Sequence, residues 1–198
     1  MTGRSLAERL AAMPAAAARR YINGMSDAAA MGLAHHWQFW ARPGQIAPEG
    51  DWRIWLIMAG RGFGKTRAGA EWVRAIGEAL PDARIALVAA NLAEARSVMV
   101  EGQSGLLGIA PDATRPHWEP SLRRLRWPGG AQAMLYSAAE PESLRGPEHS
   151  HARCAGAKGN YPQRSVGIDR RAAQRMHRVE GFRSCDPGFG RGKGVDRR

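Results

Sequence analysis

The stretch from Ile54 to Leu80 constrains this chain more than any other. It opens with a short apolar run, Ile54 to Ala59, of a length that suits a buried strand. A turn rich in glycine follows, Gly60-Arg61-Gly62-Phe63-Gly64, and then Lys65-Thr66. Beyond Thr66 the apolar residues Ala70, Val73, Ile76 and Leu80 recur at helical spacing, and Pro81-Asp82 ends the pattern. Strand, glycine turn, Lys-Thr and helix together predict a phosphate-binding loop. Glycines let several backbone N–H groups converge on one anion, and the helix start adds free N–H groups and a positive dipole end. Lys65 is placed to reach β- and γ-phosphate oxygens, and the Thr66 hydroxyl to hold Mg²⁺. One position departs from the usual G-x-x-x-x-G-K-[ST] spacing, which has Ala59 here in place of glycine. The plainer alternative is a glycine-rich strand-to-helix turn with an exposed lysine, and the flanking strand and helix argue against it.

Composition sets the outer limits. A chain of 198 residues, 44% hydrophobic, buries one good core with at most an appendage. Its net charge of +11 points to a polyanionic partner, but the charge is uneven. Residues 151–198 hold 12 Lys/Arg against 4 Asp/Glu, so the basic signal lies mostly in the tail. Cys154 and Cys185 make neither a disulfide framework nor a zinc ribbon. His149-x-His151-x-x-Cys154 offers three soft ligands with no partner spacing, and we read it as coincidence. No apolar run is long enough to cross a membrane, and Arg19-Arg20 with Glu8-Arg9 make a poor secretory signal, so a cytoplasmic protein is expected.

Along the chain, Ser5-Leu-Ala-Glu8 fits a helix-start capping box, and residues 1–30 read as a loosely attached helical arm interrupted at Pro14. The aromatic run around Trp37, Phe39 and Trp40 leads through Pro43, Gly44, Pro48 and Gly50 to the loop strand. Such a segment either packs plainly on the core or covers a nucleotide base, with Gln45 hydrogen-bonding to that base. Arg84 to Ala90 reads as a second buried strand, and Leu92 to Val100 as a helix. Leu122–Trp127 and Ala131–Ser137 read as two strands joined by a tight turn at Pro128-Gly-Gly130, with a short helical turn over 138–144. Strands alternating with helices predict an α/β fold with a parallel sheet.

These segments resemble the ATPase domain of phage terminase large subunits, of the type found in prophages and gene transfer agents. Phe39-Trp-Ala-Arg-Pro-Gly-Gln45, Trp52 to Arg74, Leu92 to Gly102 and Tyr136 to His149 carry the resemblance, which covers roughly residues 31–152. It implies a P-loop NTPase core of the ASCE type and an ATP- and Mg²⁺-dependent motor that packs double-stranded DNA through a portal protein. A small terminase subunit and a homo-oligomeric ring are the further partners it implies. Gly60, Gly62, Phe63, Gly64, Lys65 and Thr66 then line the nucleotide. Arg61 falls where the family places an arginine that stabilises the transferring phosphate. Gln45 lies in the family's adenine-binding segment, and Asn91 stands where relatives suggest threonine.

After His151 the pattern breaks. The family implies an apolar strand ending in Asp-Glu, which tunes Mg²⁺ and activates water, whereas this chain reads His151-Ala-Arg-Cys-Ala-Gly-Ala-Lys-Gly-Asn160. The nuclease domain of the family has no counterpart in the sequence either. The expectation is therefore an incomplete core over 31–152 that binds ATP and hydrolyses it poorly, followed by a disordered Arg/Gly-rich tail over 153–198. A change of reading frame near residue 152 is the favoured origin of that tail. The rival reading is a basic arm that holds DNA or RNA through its arginines, without catalysis, and a third is a non-functional fragment whose sheet is too small to fold stably. Glu140 is the one acid considered as a replacement, and the strand before it lies ahead of the acidic one in the family's register.

Overall fold

The computed structural model describes residues 6–50 and 52–155 and the backbone of 164–168. Three short helices come first: α1 (Leu6–Ala11), α2 (Ala15–Asn23) and α3 (Asp27–Ala34). Pro14 separates the first two, and Ser26 caps the third by accepting a hydrogen bond from the Ala29 N–H at 3.2 Å. Neither α2 nor α3 has a buried residue. A single turn, α4 (Trp37–Trp40), buries Phe39 and leads into the 3-10 turn Pro43–Gln45.

The sheet begins with β1 (Ile54–Met58), an edge strand in which only Ile57 is buried while Ile54, Leu56 and Met58 are exposed, which corrects the buried strand expected from sequence. The glycine turn then feeds α5 (Lys65–Ala79), as the apolar spacing predicts. β2 (Arg84–Ala89) follows. The helix expected over 92–100 is present as α6 (Leu92–Glu94), which continues as a π-helical turn, Ala95–Val100. After α7 (Leu106–Ile109) come β3 (His117–Glu119), β4 (Arg124–Arg126), β5 (Gln132–Ser137), β6 (His151–Ala155) and β7 (Arg164–Ile168).

The strands lie in the order β1-β7-β6-β2-β5-β4-β3. The fold is α/β, but the sheet is mixed, which corrects the parallel sheet expected from sequence. β6, β2 and β5 are parallel, while β3, β4 and β5 form an antiparallel meander. The reason is local. Trp127 and Ala131 close a tight turn, with the Trp127 N–H donating to the Ala131 carbonyl at 2.9 Å and Gly130 at φ 109°. A turn that short joins only antiparallel neighbours. β7 pairs antiparallel with both β6 and β1, so β1 and β6 run in the same direction on either side of it. β6 also crosses the boundary set at residue 152, and β7 lies beyond it; the rest of the tail falls outside the described residues.

Strand alternation separates two faces. Ile85, Leu87, Leu125, Ala133 and Leu135 face α5, the π-helical turn and α7, and with Val73, Met99, Leu106 and Trp127 they form the main core. Gly77 of α5 is pressed against the Trp127 ring, leaving no space there for a β-carbon. The opposite face carries a smaller cluster, Ala86, Val88, Tyr136, Ala152 and Cys154, covered by Ala138 and Leu144.

Candidate functional site

The loop between β1 and α5 is shaped by two glycines in the left-handed region, Gly62 at φ 78° and Gly64 at φ 87°. A β-carbon at Gly60 or Gly62 would meet nothing within 4 Å, so this side of the loop is open. Lys65 is buried at the head of α5 and turns back beneath the loop. Its Nζ donates to the carbonyls of Ala59 (2.8 Å) and Gly60 (2.7 Å), which holds the ammonium at the centre of the turn. Residue 59 takes part through its carbonyl and keeps a negative φ, so alanine serves there as well as glycine. Thr66 is half-buried in the first turn of α5, and Arg61 is exposed on the loop.

Gln45 reaches the loop from outside. Its Oε1 accepts from the Arg42 N–H at 2.9 Å, and its Nε2 donates to the Phe63 carbonyl at 2.5 Å. A β-carbon on Gly64 would lie 2.6 Å from that nitrogen, so glycine is needed for space as well as for its φ. A β-carbon on Gly44 would lie 3.5 Å from the Phe63 ring, an ordinary contact distance. The aromatic run thus both packs and touches the loop: Phe39 is buried, Trp40 is half-exposed, and the Trp37 ring lies 5.8 Å from the Arg67 guanidinium.

Charged groups on α5 tie the loop helix to this segment. Glu71 is buried between Arg67 (2.7 Å) and Arg74 (2.8 Å), and Arg74 also reaches Glu78 at 3.0 Å and the His35 carbonyl at 3.1 Å. Burial alone would lower the Arg74 pKa, but the hydrogen bonds and charges of Glu71 and Glu78 outweigh it, and the net shift is upward.

β6 supplies the residue that sequence reasoning passed over. Arg153 is fully buried under the first turns of α5, and its Nη2 donates to the Thr66 carbonyl at 3.0 Å. Its Nε and Nη1 have no hydrogen-bond partner among the described residues. Burial lowers its pKa to about 10 from the ordinary arginine range, with a small opposing contribution from Cys154. Gly69 makes room for it, since a β-carbon there would lie 2.5 Å from Arg153 Nε. The sequence signal was an arginine inside a short segment that pairs with a buried strand, next to a helix carrying glycines at 69 and 77.

β6 itself, His151-Ala-Arg-Cys-Ala155, holds no carboxylate, and Glu140 is exposed after β5. Of the three soft ligands, His151 shares a face with Ile85 while Cys154 belongs to the opposite cluster, and His149 stacks edge-on against Tyr136. Among the described residues no three His, Cys, Asp or Glu side chains gather as a metal site.

Comparison with known families decides the identity. The model of the terminase large subunit family, T4-like virus type, N-terminal part, matches residues 56–154. The chain belongs to this family. No curated protein and no solved structure gave a match. The terminase match begins inside β1, takes in the glycine loop and α5, and runs through Cys154, two residues beyond where the sequence reading ended the resemblance. Arg153 therefore lies within the region that identifies the chain as a terminase large subunit, a protein of phage DNA packaging.

Proposed function

We propose that this terminase chain binds ATP with Mg²⁺ at the loop 59–66 and hydrolyses it slowly. The supporting observation is the pairing of an open glycine face with a buried ammonium: Lys65 Nζ is held 2.7–2.8 Å from two loop carbonyls at the head of a 15-residue helix. Phosphate oxygens are stronger acceptors than these carbonyls and gain the helix-start N–H groups as well. Gly60, Gly62, Phe63 and Gly64 supply backbone N–H groups, and Thr66 is the residue to hold Mg²⁺. The exposed Arg61 is free to turn toward the terminal phosphate. Gln45 keeps one amide N–H beyond the one given to Phe63, which suits an adenine edge.

Bound Mg²⁺ would neutralise charge on the phosphates, but it usually takes a protein carboxylate as well. β6 offers none, nor a base for the attacking water. General-base activation is worth on the order of 10²–10⁴ in rate, so a bound but slowly turned-over nucleotide is the expected state. Double-stranded DNA, a portal protein, a small terminase subunit and a ring of copies are the partners proposed for the working assembly, in the cytoplasm. Among the described residues no helix is long and apolar enough to cross a membrane.

Titration calorimetry with Mg-ATP tests the site. Lys65→Ala is expected to weaken binding on the order of a hundredfold, as for loss of a buried charge-assisted contact, without loss of the thermal melt. Equal affinity of a folded Lys65→Ala chain would refute the reading.

A further inference from the structure

The face of the sheet away from α5 carries a feature that the nucleotide site does not use. Strand register sets four polar side chains side by side across four strands: His117 opposite Arg126, Arg126 opposite Gln132, and Gln132 beside Arg84. His117, Arg126 and Arg84 are exposed. Among the described residues neither Arg84 nor Arg126 has a carboxylate partner; the Arg84 guanidinium donates to the Ala83 carbonyl at 3.2 Å. Glu119, on the same face beside this row, is committed to Arg124 at 2.6 Å. That hydrogen bond, with smaller contributions from the charges of Arg126 and His117, holds the Glu119 carboxyl below its usual range, so these cations share one field.

We propose that this row, His117–Arg126–Gln132–Arg84, is a docking surface for the phosphodiester backbone of duplex DNA. An α/β sheet usually covers both faces with apolar helices, and cations on this end of the face reject such a cover. They suit a polyanion instead, by charge and by shape. Strands about 4.8 Å apart make the row roughly 14 Å long. A row of this length can follow a short run of phosphates along one DNA strand, with Gln132 as a neutral donor between two cations. The contact is to backbone rather than bases, so it grips without choosing sequence, as a packaging protein requires. The proposal shares its DNA partner with the reading above but does not depend on the nucleotide site.

The test is fluorescence anisotropy of a labelled DNA duplex titrated with the full chain over a range of salt concentrations. The double variant Arg84→Gln/Arg126→Gln is expected to weaken binding roughly tenfold and to flatten the salt slope by about 2, one unit for each lost phosphate contact. Arg84→Lys/Arg126→Lys, which keeps the charge, is expected to restore both. Unchanged affinity and slope in the Gln variant would overturn the surface and place DNA binding elsewhere, such as the basic tail. Equal losses in the Gln and Lys variants would also overturn it, because charge would then not be what matters. ATP titration of the same variants separates the two readings: DNA binding lost with ATP binding intact implicates this surface alone. Absent ATP binding in the unmodified chain would sink the nucleotide site and leave the surface standing.

Discussion

The loop unit β1–α5 and the strand β6 lie under the same stretch of helix, yet they satisfy their polar groups very differently. In the loop unit the buried ammonium of Lys65 has two carbonyls, the Gln45 amide is bonded at both ends, and Glu71 is held between two arginines. On β6 the guanidinium of Arg153 is as deeply buried, and among the described residues it has one carbonyl, no carboxylate and two nitrogens without a partner. One region is built around charge, and the other tolerates it. The contrast teaches that the terminase chain keeps the parts proposed to bind phosphate while the strand expected to supply hydrolytic acids carries a buried arginine.

Arg153→Met gives the largest expected effect, because it removes the contrast. A base lowered to about 10 from the ordinary arginine range corresponds to an order-of-magnitude penalty of about 3 kcal/mol on the folded state, so the variant should melt several degrees higher. The sign with pH follows. Below about pH 10 both states hold the proton and the penalty is complete. Above it the folded state releases the proton first, the unfolded chain binds more protons, and the wild type recovers stability. The gap between wild type and variant, read from melts across pH 8–11, should therefore narrow as pH passes about 10. A gap that widened there would contradict a buried, charged Arg153.

Gly69→Ala sharpens the same comparison from the helix side. The added β-carbon meets Arg153 Nε, and overpacking of this kind costs about 1–3 kcal/mol. In the Arg153→Met background the cost should shrink by about 1 kcal/mol, since a thioether side chain repacks more easily. Additive effects in denaturant melts would mean that the two positions are not coupled. A smaller effect, about 1 kcal/mol, is expected for Gln45→Ala, which frees the Phe63 carbonyl and loosens the loop. Calorimetry should show ATP affinity falling several-fold, with Gln45→Glu no better because a carboxylate cannot donate to that carbonyl.

The loop was legible in the sequence because everything that makes it lies within 27 residues: an apolar strand, three glycines, Lys65-Thr66 and a helix period. The hairpin at Trp127–Ala131 was legible for the same reason. What was not legible depends on neighbours distant in the chain. The role of Gln45 as a clamp on Phe63 spans 18 residues, and the contact of Arg153 with Thr66 spans 87. The antiparallel place of β7 between β1 and β6 was missed because β7 carries no apolar run of the strength of β2 and pairs with a strand far away in sequence. Gly69 and Gly77 read as weak points of a helix period until Arg153 and Trp127 show what presses against them.

The central claim is a nucleotide held but slowly consumed, and the most direct measurement is phosphate release by the purified chain at ATP concentrations that a titration shows to fill the site. The expected result is full occupancy with turnover near the background of the Lys65→Ala chain. Release at about 1 s⁻¹ or faster, the ordinary range for enzymes, and its loss on Lys65→Ala would contradict the account. A catalytic acid would then have to be sought outside β6.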